Sequence, residues 1–570
     1  MPIALLALIA AAPLTASSPR EPVPGRSVVA SRYGVVASSQ PLAAAAGVQI
    51  LERGGNAVDA AIAANATTGA MEPTGNGIGG DLFALVYLAK EDKLYGLNAS
   101  GWSPKAMTPE FVRSKGLADK LPQRGPLTVT VPGVVAGWDA LRKRFGALPL
   151  SASLAPAIFH AENGFPVMEI TAGLWTRSEK MLAEHPSSRS TFLVDGRAPA
   201  AGQIFRNPDL ARSLRRIAEQ GRDGYYKGPT AQAIVDIVRE QGGAMALEDL
   251  AEFQPEWVQP IQTTYRGWTV SEIPPNSQGI AALEMLNILE RFPLGEWGFH
   301  STRSLHAMIE AKKLAYADLL RYVGDPRFGQ VPVADLLGKQ GAAARAARID
   351  QRAAACKVEP TKLASVTDAK GSDTIYLTVV DREGNIVSLI QSNYSGFGSG
   401  LVPKDKGFML HNRGALFTLE PGLPNTLAPR KRPLHTIIPG FLQKGEVKIG
   451  FGIMGGWNQA QAHAQFVVDL VDHGMSIQQA LEAGRFTKGT FEGCDVEIES
   501  SVPEQVRAQL GELGHKLEVR PPRTPNFGYG QAVLYDARTG VKFGASDPRH
   551  DGEAIPVPAP AFEPAPPAHR

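Results

Sequence analysis

The chain has 570 residues, 44% of them hydrophobic and 20% charged, with 58 Lys and Arg against 56 Asp and Glu. That length supplies one large layered domain or two to three ordinary ones, and the apolar share excludes wholesale disorder. A net charge of +2 gives no electrostatic reason to expect nucleic acid or an anionic membrane surface as a partner. Two cysteines, Cys356 and Cys494, exclude a disulfide scaffold and a cysteine-rich zinc site. They form one bridge or stay as two buried thiols, and the sequence leaves both open.

Residues 3–16, IALLALIAAAPLTA, are too short to span a bilayer and suit the apolar part of a secretory signal. Leu14-Thr15-Ala16 before Ser17 resembles a small-residue cleavage site, although no Lys or Arg precedes the run. The expectation is a signal peptide over residues 1–16 and a periplasmic or secreted protein with no transmembrane span. From Gln40 to Leu51 small and apolar residues recur at helical spacing until Gly54-Gly55 stops them. Asn56 is placed to cap a second helix from Ala57 to about Thr68. The glycine-rich run Thr74 to Asp81 then leads into a buried strand, Leu82 to Leu88. Lying between a helix and a strand, and lacking Gly-Lys-Ser/Thr, this run is neither a dinucleotide fingerprint nor a P-loop. It reads as tight backbone packing near a cavity.

Residues 130–340 read as mostly helical, with Ser304 to Tyr322 the clearest amphipathic helix, stopped before Gly324-Asp325-Pro326. Gln340 to Val366 reads as a helix followed by an exposed connector with a solvated charged face. At Gly371 the texture changes. Thr374 to Val380 and Ile386 to Gln391 are rich in β-branched residues around the turn Asp381 to Asn385, which predicts a hairpin. Further strands are expected at Val447–Ile453 and Gly530–Tyr535, a helix at Ala460–Asp472, and an extended Pro/Ala-rich tail over Pro556–Arg570. Helix and strand signals in both halves predict a mixed sheet covered by helices.

The eleven histidines show no HExxH or other ligand spacing, and no Gly-x-Ser-x-Gly elbow occurs, so no metal or cofactor is expected. One feature is sharper: a connector leads into Gly371-Ser372-Asp373-Thr374, and Thr374 opens the buried strand. Alone, such a threonine is a packing residue. It stands, however, in a set of segments with a fixed order. These are Gly54 to Ala61, Gly75 to Asp81, Val131-Pro132-Gly133, Tyr265-Arg266-Gly267, Pro274-Pro275-Asn276-Ser277-Gln278-Gly279, and Tyr316-Ala317-Asp318 with Gly324-Asp325-Pro326. Asp373-Thr374, Gly396 to Gly400, Lys431 to Leu434, Gly455-Gly456 and Gly544 to Arg549 follow. In this order, from about Arg32 to Arg549, the sequence resembles the gamma-glutamyltransferase (glutathione hydrolase) family of N-terminal-nucleophile hydrolases.

The resemblance implies an α+β fold, the four-layer αββα sandwich, and self-cleavage between Asp373 and Thr374. Residues 17–373 then form a large subunit and 374–570 a small one, interlocked as a heterodimer. The chemistry stands on its own terms: cleavage exposes the Thr374 hydroxyl and creates an α-amino group, of pKa about 8, on the same residue to take its proton. By the same resemblance Ser392 orients the nucleophile, and Gly455 and Gly456 supply the oxyanion hole. The implied substrate is a gamma-glutamyl amide of the glutathione type or a related acyl amide, and the acyl group passes to water or an amine.

The chain departs from the family where the glutamyl head is held. Ser100 stands where an arginine is expected, within Asn98 to Trp102. Asn412-Arg413-Gly414-Ala415-Leu416 places Leu416 at the acidic position, and His435-Thr436 replaces a Ser-Ser pair. An α-amino acid head needs an anion as well as a cation, and leaving either charge unpaired costs several kcal/mol. Arg413 and His435 remain to hold a carboxylate, so a glutaryl-type donor, as in cephalosporin-acylase-like relatives, is the alternative. A further alternative is an inactive member acting as a binding protein, which intact Thr374 and Gly455-Gly456 argue against.

Overall fold

The computed structural model describes residues 25–118, 120–358 and 374–560. The expected signal segment, Asp373 and the last ten residues lie outside the described residues.

Fourteen strands build two main sheets: β1 (Val29–Ser31), β2 (Val35–Ser38), β3 (Asp81–Leu88), β4 (Lys93–Ala99), β5 (Glu256–Val258), β6 (Ile261–Tyr265), β7 (Trp268–Glu272), β8 (Ile375–Val380), β9 (Ile386–Ser392), β10 (Gly440–Lys444), β11 (Val447–Ile453), β12 (Gly530–Asp536), β13 (Val541–Ser546) and β14 (Glu553–Pro556). One sheet runs β14-β2-β8-β9-β3-β4-β5 and the other β1-β13-β12-β11-β10-β7-β6, every pairing antiparallel. The main helices are α1 (Pro41–Glu52), α2 (Ala57–Met71), α3 (Val134–Phe145), α4 (Leu150–Asn163), α5 (Gly279–Leu289), α6 (Thr302–Tyr322) and α7 (Asn458–Val471).

The layers follow from side-chain alternation. In β8, Ile375, Leu377 and Val379 pack with α1, α2, α3 and α4. Tyr376 and Val380 pack instead with Phe441 and Val533 of the facing sheet. The far side of that second sheet, including Ile449, Phe451 and Ile453, packs with α5, α6 and α7. A strand buried on both faces cannot alternate apolar with polar, which is why β8 reads as a continuous β-branched run. The result is helix, sheet, sheet, helix, the expected αββα sandwich.

The helix ends match their sequence signals. Asn56 caps α2 through Val58 N and Asp59 N, and Asp59 returns a bond to Asn56 N, a reciprocal capping box. All fifteen residues of α2 are buried, which its run of Ala, Gly and Thr permits because small side chains let it lie close to the sheet and to α1.

Several expectations need correction. The region 130–340 carries β5, β6 and β7 as well as helices, short strands whose pattern is too brief to stand out. The polar face of α6 is not solvated: Ser304 through Leu320 are all buried. Residues 486–520 of the C-terminal part cover it; Lys312 Nζ, for example, donates to Thr490 O at 2.8 Å. The tail starts later than expected, because β14 pairs with β2 and Val557 N donates to Gly34 O at 2.9 Å. The stretch from Gln340 does begin in a helix, Lys339–Ala346, but its connector lies partly outside the described residues, from 359 onward. Cys356 and Cys494 are joined in a disulfide, with Cys494 buried and Cys356 exposed, so they are not two buried thiols. Among the described residues no helix is long and apolar enough to cross a membrane.

Candidate active site

Thr374 immediately precedes β8 and is fully buried. The antiparallel register sets Ile375 opposite Gln391, which brings residue 374 beside Ser392 at the end of β9. Thr374 Oγ1 donates to Ser392 Oγ at 3.1 Å, and the same oxygen accepts Tyr394 N–H at 2.7 Å. Tyr529 donates its hydroxyl to Thr374 O at 3.2 Å. The threonine oxygen is thus held through its own proton, and no donor to it is found among the described residues.

Gly455 and Gly456 lie between β11 and α7 with φ of 126° and 57°, a left-handed backbone that glycine alone adopts at little cost. Their carbonyls turn into the helix: Asn458 N donates to Gly455 O at 2.9 Å and Gln459 N to Gly456 O at 3.2 Å. In a trans peptide N–H and C=O point oppositely, so the Gly456 amide points away from the start of α7. A helix N-terminus adds positive partial charge there.

Across the strand from Ser392 lies a buried ionic cluster that sequence reasoning did not find. Asp81 faces Ser392 across the β3–β9 register. Its Oδ1 accepts Gly101 N at 2.9 Å, and its Oδ2 lies 3.1 Å from His435 Nε2 and 3.5 Å from His411 Nδ1. Burial pushes the Asp81 carboxyl up, but the attraction of His411, His435 and Arg413 outweighs it and holds it below the usual carboxylate range. Burial, reinforced by Arg413, drives His435 down to about 3, so its ring is neutral at pH 7. Arg413 is lowered by burial to about 10 and stays charged.

The five residues expected to hold substrate divide sharply. Ser100 Oγ donates to Asn98 Oδ1 at 2.7 Å and accepts from Asn276 Nδ2 at 3.2 Å. Asn412 is tied to Gln123 O at 2.6 Å and to Ser395 N at 3.0 Å. His435 is spent on Asp81, while its Nδ1 accepts from Ile437 N at 3.3 Å. Thr436 Oγ1 accepts Arg413 Nη1–H at 2.6 Å. Arg413, fully buried and stacked 4.6 Å over the Tyr394 ring, keeps Nε and Nη2 without a partner among the described residues. Those two N–H groups form the flat fork that pairs with a carboxylate.

Gln278 and Tyr316 were also missed as site residues, although both stand in segments that carry the family resemblance. Gln278 Nε2 donates to Gly456 O at 2.7 Å and to Thr436 O. The Tyr316 hydroxyl donates to Trp457 O. Bonds to backbone carbonyls leave no mark on a single sequence, so nothing short of the fold reveals them.

One group among the described residues, His306, Glu310 and His515, is close enough to hold a metal. Most of its donor atoms are already used. His306 Nε2 meets Asp350 O at 2.8 Å and its Nδ1 meets His515 Nε2 at 2.9 Å, while Lys313 Nζ sits 2.6 Å from Glu310 Oε1. A buried ammonium on the only carboxylate opposes a second cation.

Comparison with known proteins agrees with this architecture. The profile of the Gamma-glutamyltranspeptidase family matches residues 43–557. The chain is 36% identical to the glutathione hydrolase-like YwrD proenzyme of Bacillus subtilis over 93% of its length and 100% of that protein. It is 34% identical to the acylase ACY 1 proenzyme of Pseudomonas sp. strain SE83, over 92% of this chain and 93% of that one. The crystal structure of cephalosporin acylase from Bacillus halodurans matches with a TM-score of 0.86 at 40% identity, covering 96% of this chain and 100% of the other.

Proposed function

The chain belongs to the gamma-glutamyltranspeptidase family, and from that premise we propose that Thr374 Oγ1 is the nucleophile of a self-processing, gamma-glutamyltransferase-like amidase. In the precursor, Oγ1 attacks the carbonyl carbon of Asp373. The bond from that carbon to Thr374 N breaks, the nitrogen takes up the hydroxyl proton, and water hydrolyses the ester. The large chain then ends at Asp373 and the small chain begins at Thr374.

In the mature enzyme the freed amine of Thr374 takes the Oγ1 proton as the oxygen attacks the substrate amide. Ser392 fixes the direction of that hydroxyl. The amides of Gly455 and Gly456 meet the developing oxyanion, where losing one such donor costs about 3–4 kcal/mol. The leaving amine collects the proton, and water or a second amine then takes the acyl group from Thr374. The protein acts outside the reducing cytosol: the disulfide and the apolar segment 3–16 support export.

The unpaired fork of Arg413 carries the reading of the donor. It fits the terminal carboxylate of a side-chain amide, as gamma-glutamyl and glutaryl groups both present. The position where the family carries an acid is Leu416, a buried apolar residue, and each oxygen of Asp81 already has a partner, Gly101 N or His435 Nε2. Among the described residues an α-ammonium beside Arg413 therefore finds no uncommitted carboxylate, and this favours a glutaryl-type donor over the gamma-glutamyl one within the same mechanism.

The test compares release of an aryl amine from gamma-glutamyl and glutaryl donors by wild type and Thr374→Ala. Wild type should turn over both, with the larger kcat/KM on the glutaryl donor, and Thr374→Ala should neither process nor turn over. Cleavage before residue 374 in that variant overturns the nucleophile assignment; a strong preference for the gamma-glutamyl donor overturns the donor assignment.

A further inference from the structure

Cys356 and Cys494 are 138 residues apart, and the bond between Asp373 and Thr374 lies inside the loop they close. Cys356 belongs to the stretch that becomes the large chain, and Cys494 to the small one. We propose that this disulfide is a covalent link between the two chains of the mature enzyme, replacing the connection that self-cleavage removes. The proposal rests on cleavage at Thr374.

The bridge sits in a prepared seam. On the large-chain side, residues 350–356 are laid against α6: His306 Nε2 meets Asp350 O at 2.8 Å, Ala355 N donates to Glu310 Oε2 at 3.3 Å, and Lys313 Nζ donates to Ala355 O at 3.0 Å. The small chain grips the same stretch from the other side. Ala354 N donates to Leu513 O at 2.7 Å, Gly493 N donates to Cys356 O at 2.9 Å, and His515 Nε2 meets His306 Nδ1 at 2.9 Å. Lys516 N holds Cys494 O at 2.7 Å, next to the parallel pair of strands Asp495–Glu499 and Lys516–Arg520. The two Cα atoms are 4.6 Å apart, held there by hydrogen bonds that do not depend on the sulfurs.

Formation is an ordinary thiol–disulfide exchange. The two thiols give up two electrons and two protons to a disulfide oxidant, whose own disulfide becomes two thiols. Such oxidants act in export compartments. The sequence has two cysteines, so this is the one intramolecular disulfide that its processed chains can form with each other.

The physical consequence is a change in molecularity. Without the bridge, a processed enzyme that opens releases two chains, and recovery depends on their meeting again. With it, the partner is present at a fixed effective concentration set by the tether. Recovery after unfolding is then independent of dilution. The exposed side of the bridge, at Cys356, also makes it accessible to reductants.

The experiment uses purified, thiol-blocked wild type, Cys356→Ser and unprocessed Thr374→Ala on reducing and non-reducing denaturing gels. The expected result is two wild-type bands with reductant and one without, the latter at the 60.8 kDa of the full chain less its signal segment. Cys356→Ser should give two bands in both, with activity per folded molecule unchanged. Two wild-type bands under both conditions overturn the proposal and leave the nucleophile assignment standing. One band under both overturns both. In a second measurement, wild type and Cys356→Ser are unfolded in urea and refolded over a tenfold range of protein concentration. Recovery that is constant for wild type and falls several-fold on dilution for Cys356→Ser supports the link; equal dependence overturns it.

Discussion

Gln278 Nε2 donates to Gly456 O at 2.7 Å and also to Thr436 O, so one carboxamide joins the glycine pair to the loop that positions Arg413. Tyr316 adds a bond to the next carbonyl, Trp457 O, and lies 3.4 Å from Gln278 Oε1. Glycines at positive φ are the softest backbone in the site, and these two side chains fix the peptide planes that follow them. An oxyanion hole works because its donors are already in place when charge develops.

Replacing Gln278 by Met keeps the length and removes both donors. The expected effect is a fall in kcat of about 10–100-fold, in line with the cost of a small misplacement of reacting groups, with donor KM changed less than about threefold. The measurement is steady-state kinetics on processed enzyme, normalised to active sites. An unchanged kcat in folded, processed Gln278→Met would show that the bridge only packs.

Ser392 is the acceptor for the Thr374 hydroxyl, and it also receives Tyr394 N–H. Ser392→Ala removes the hydroxyl that accepts the Thr374 hydrogen bond but leaves Thr374, the proposed nucleophile, itself. Processing should slow by about 10²-fold or more, within the range by which positioning and proton-transfer groups change rates. Ser392→Thr, which keeps the oxygen, should process at a rate within about tenfold of wild type. A time course of small-chain appearance on a reducing gel reads both, and equal rates for Ala and wild type would remove Ser392 from the mechanism.

What the sequence made legible, and what it hid, divides along the range of the interactions. The hairpin of β8 and β9 and the capped start of α2 are written locally, in β-branched runs, a turn and an Asn before an apolar stretch. Thr374, the proposed nucleophile, stood out only through the ordered segments that carry the family resemblance, since a threonine at the start of a buried strand otherwise reads as a packing residue. The partners of Ser100, Asn412 and His435 were not legible. Each is a polar residue of ordinary type with at least one hydrogen bond to a group far away in the chain: Asn276 for Ser100, Gln123 O for Asn412 and Asp81 for His435. Arg413 was legible as a charge, but only the fold shows that Thr436 takes one nitrogen and that the buried Nε–Nη2 edge of the guanidinium has no partner among the described residues.

Leu416 tests the donor assignment from the opposite direction. It follows Arg413 by three residues on a short 3-10 turn, Arg413–Leu416, and is buried. Leu416→Asp supplies the anion that an α-ammonium requires. The ratio of kcat/KM for the gamma-glutamyl donor to that for the glutaryl donor should rise at least about tenfold, the equivalent of one moderate charge-assisted contact. Stability should fall, because an ionised carboxylate in that position is unpaired until substrate arrives. A ratio that does not move would mean that the α-amino position lies elsewhere.

The histidines predict how stability responds to acid. Burial drives His435 and His515 down to about 3 and His300 down to about 4, against about 6.5 in an unfolded chain. The folded protein keeps these rings neutral where the unfolded chain protonates them. The stability they contribute is therefore complete above about pH 6.5 and is lost as pH falls from there toward 4. Thermal unfolding followed from pH 7.5 to 5 should show the midpoint dropping below about 6.5, with these three rings contributing about three of the protons exchanged on unfolding near pH 5.5. His300 allows a clean subtraction. Its φ is 54°, a conformation that asparagine tolerates, and its Nε2 meets a backbone carbonyl, Gly484 O, at 2.9 Å. His300→Asn should keep the fold and reduce the uptake by about one proton. An uptake identical to wild type would mean that His300 titrates alike in the folded and unfolded chain.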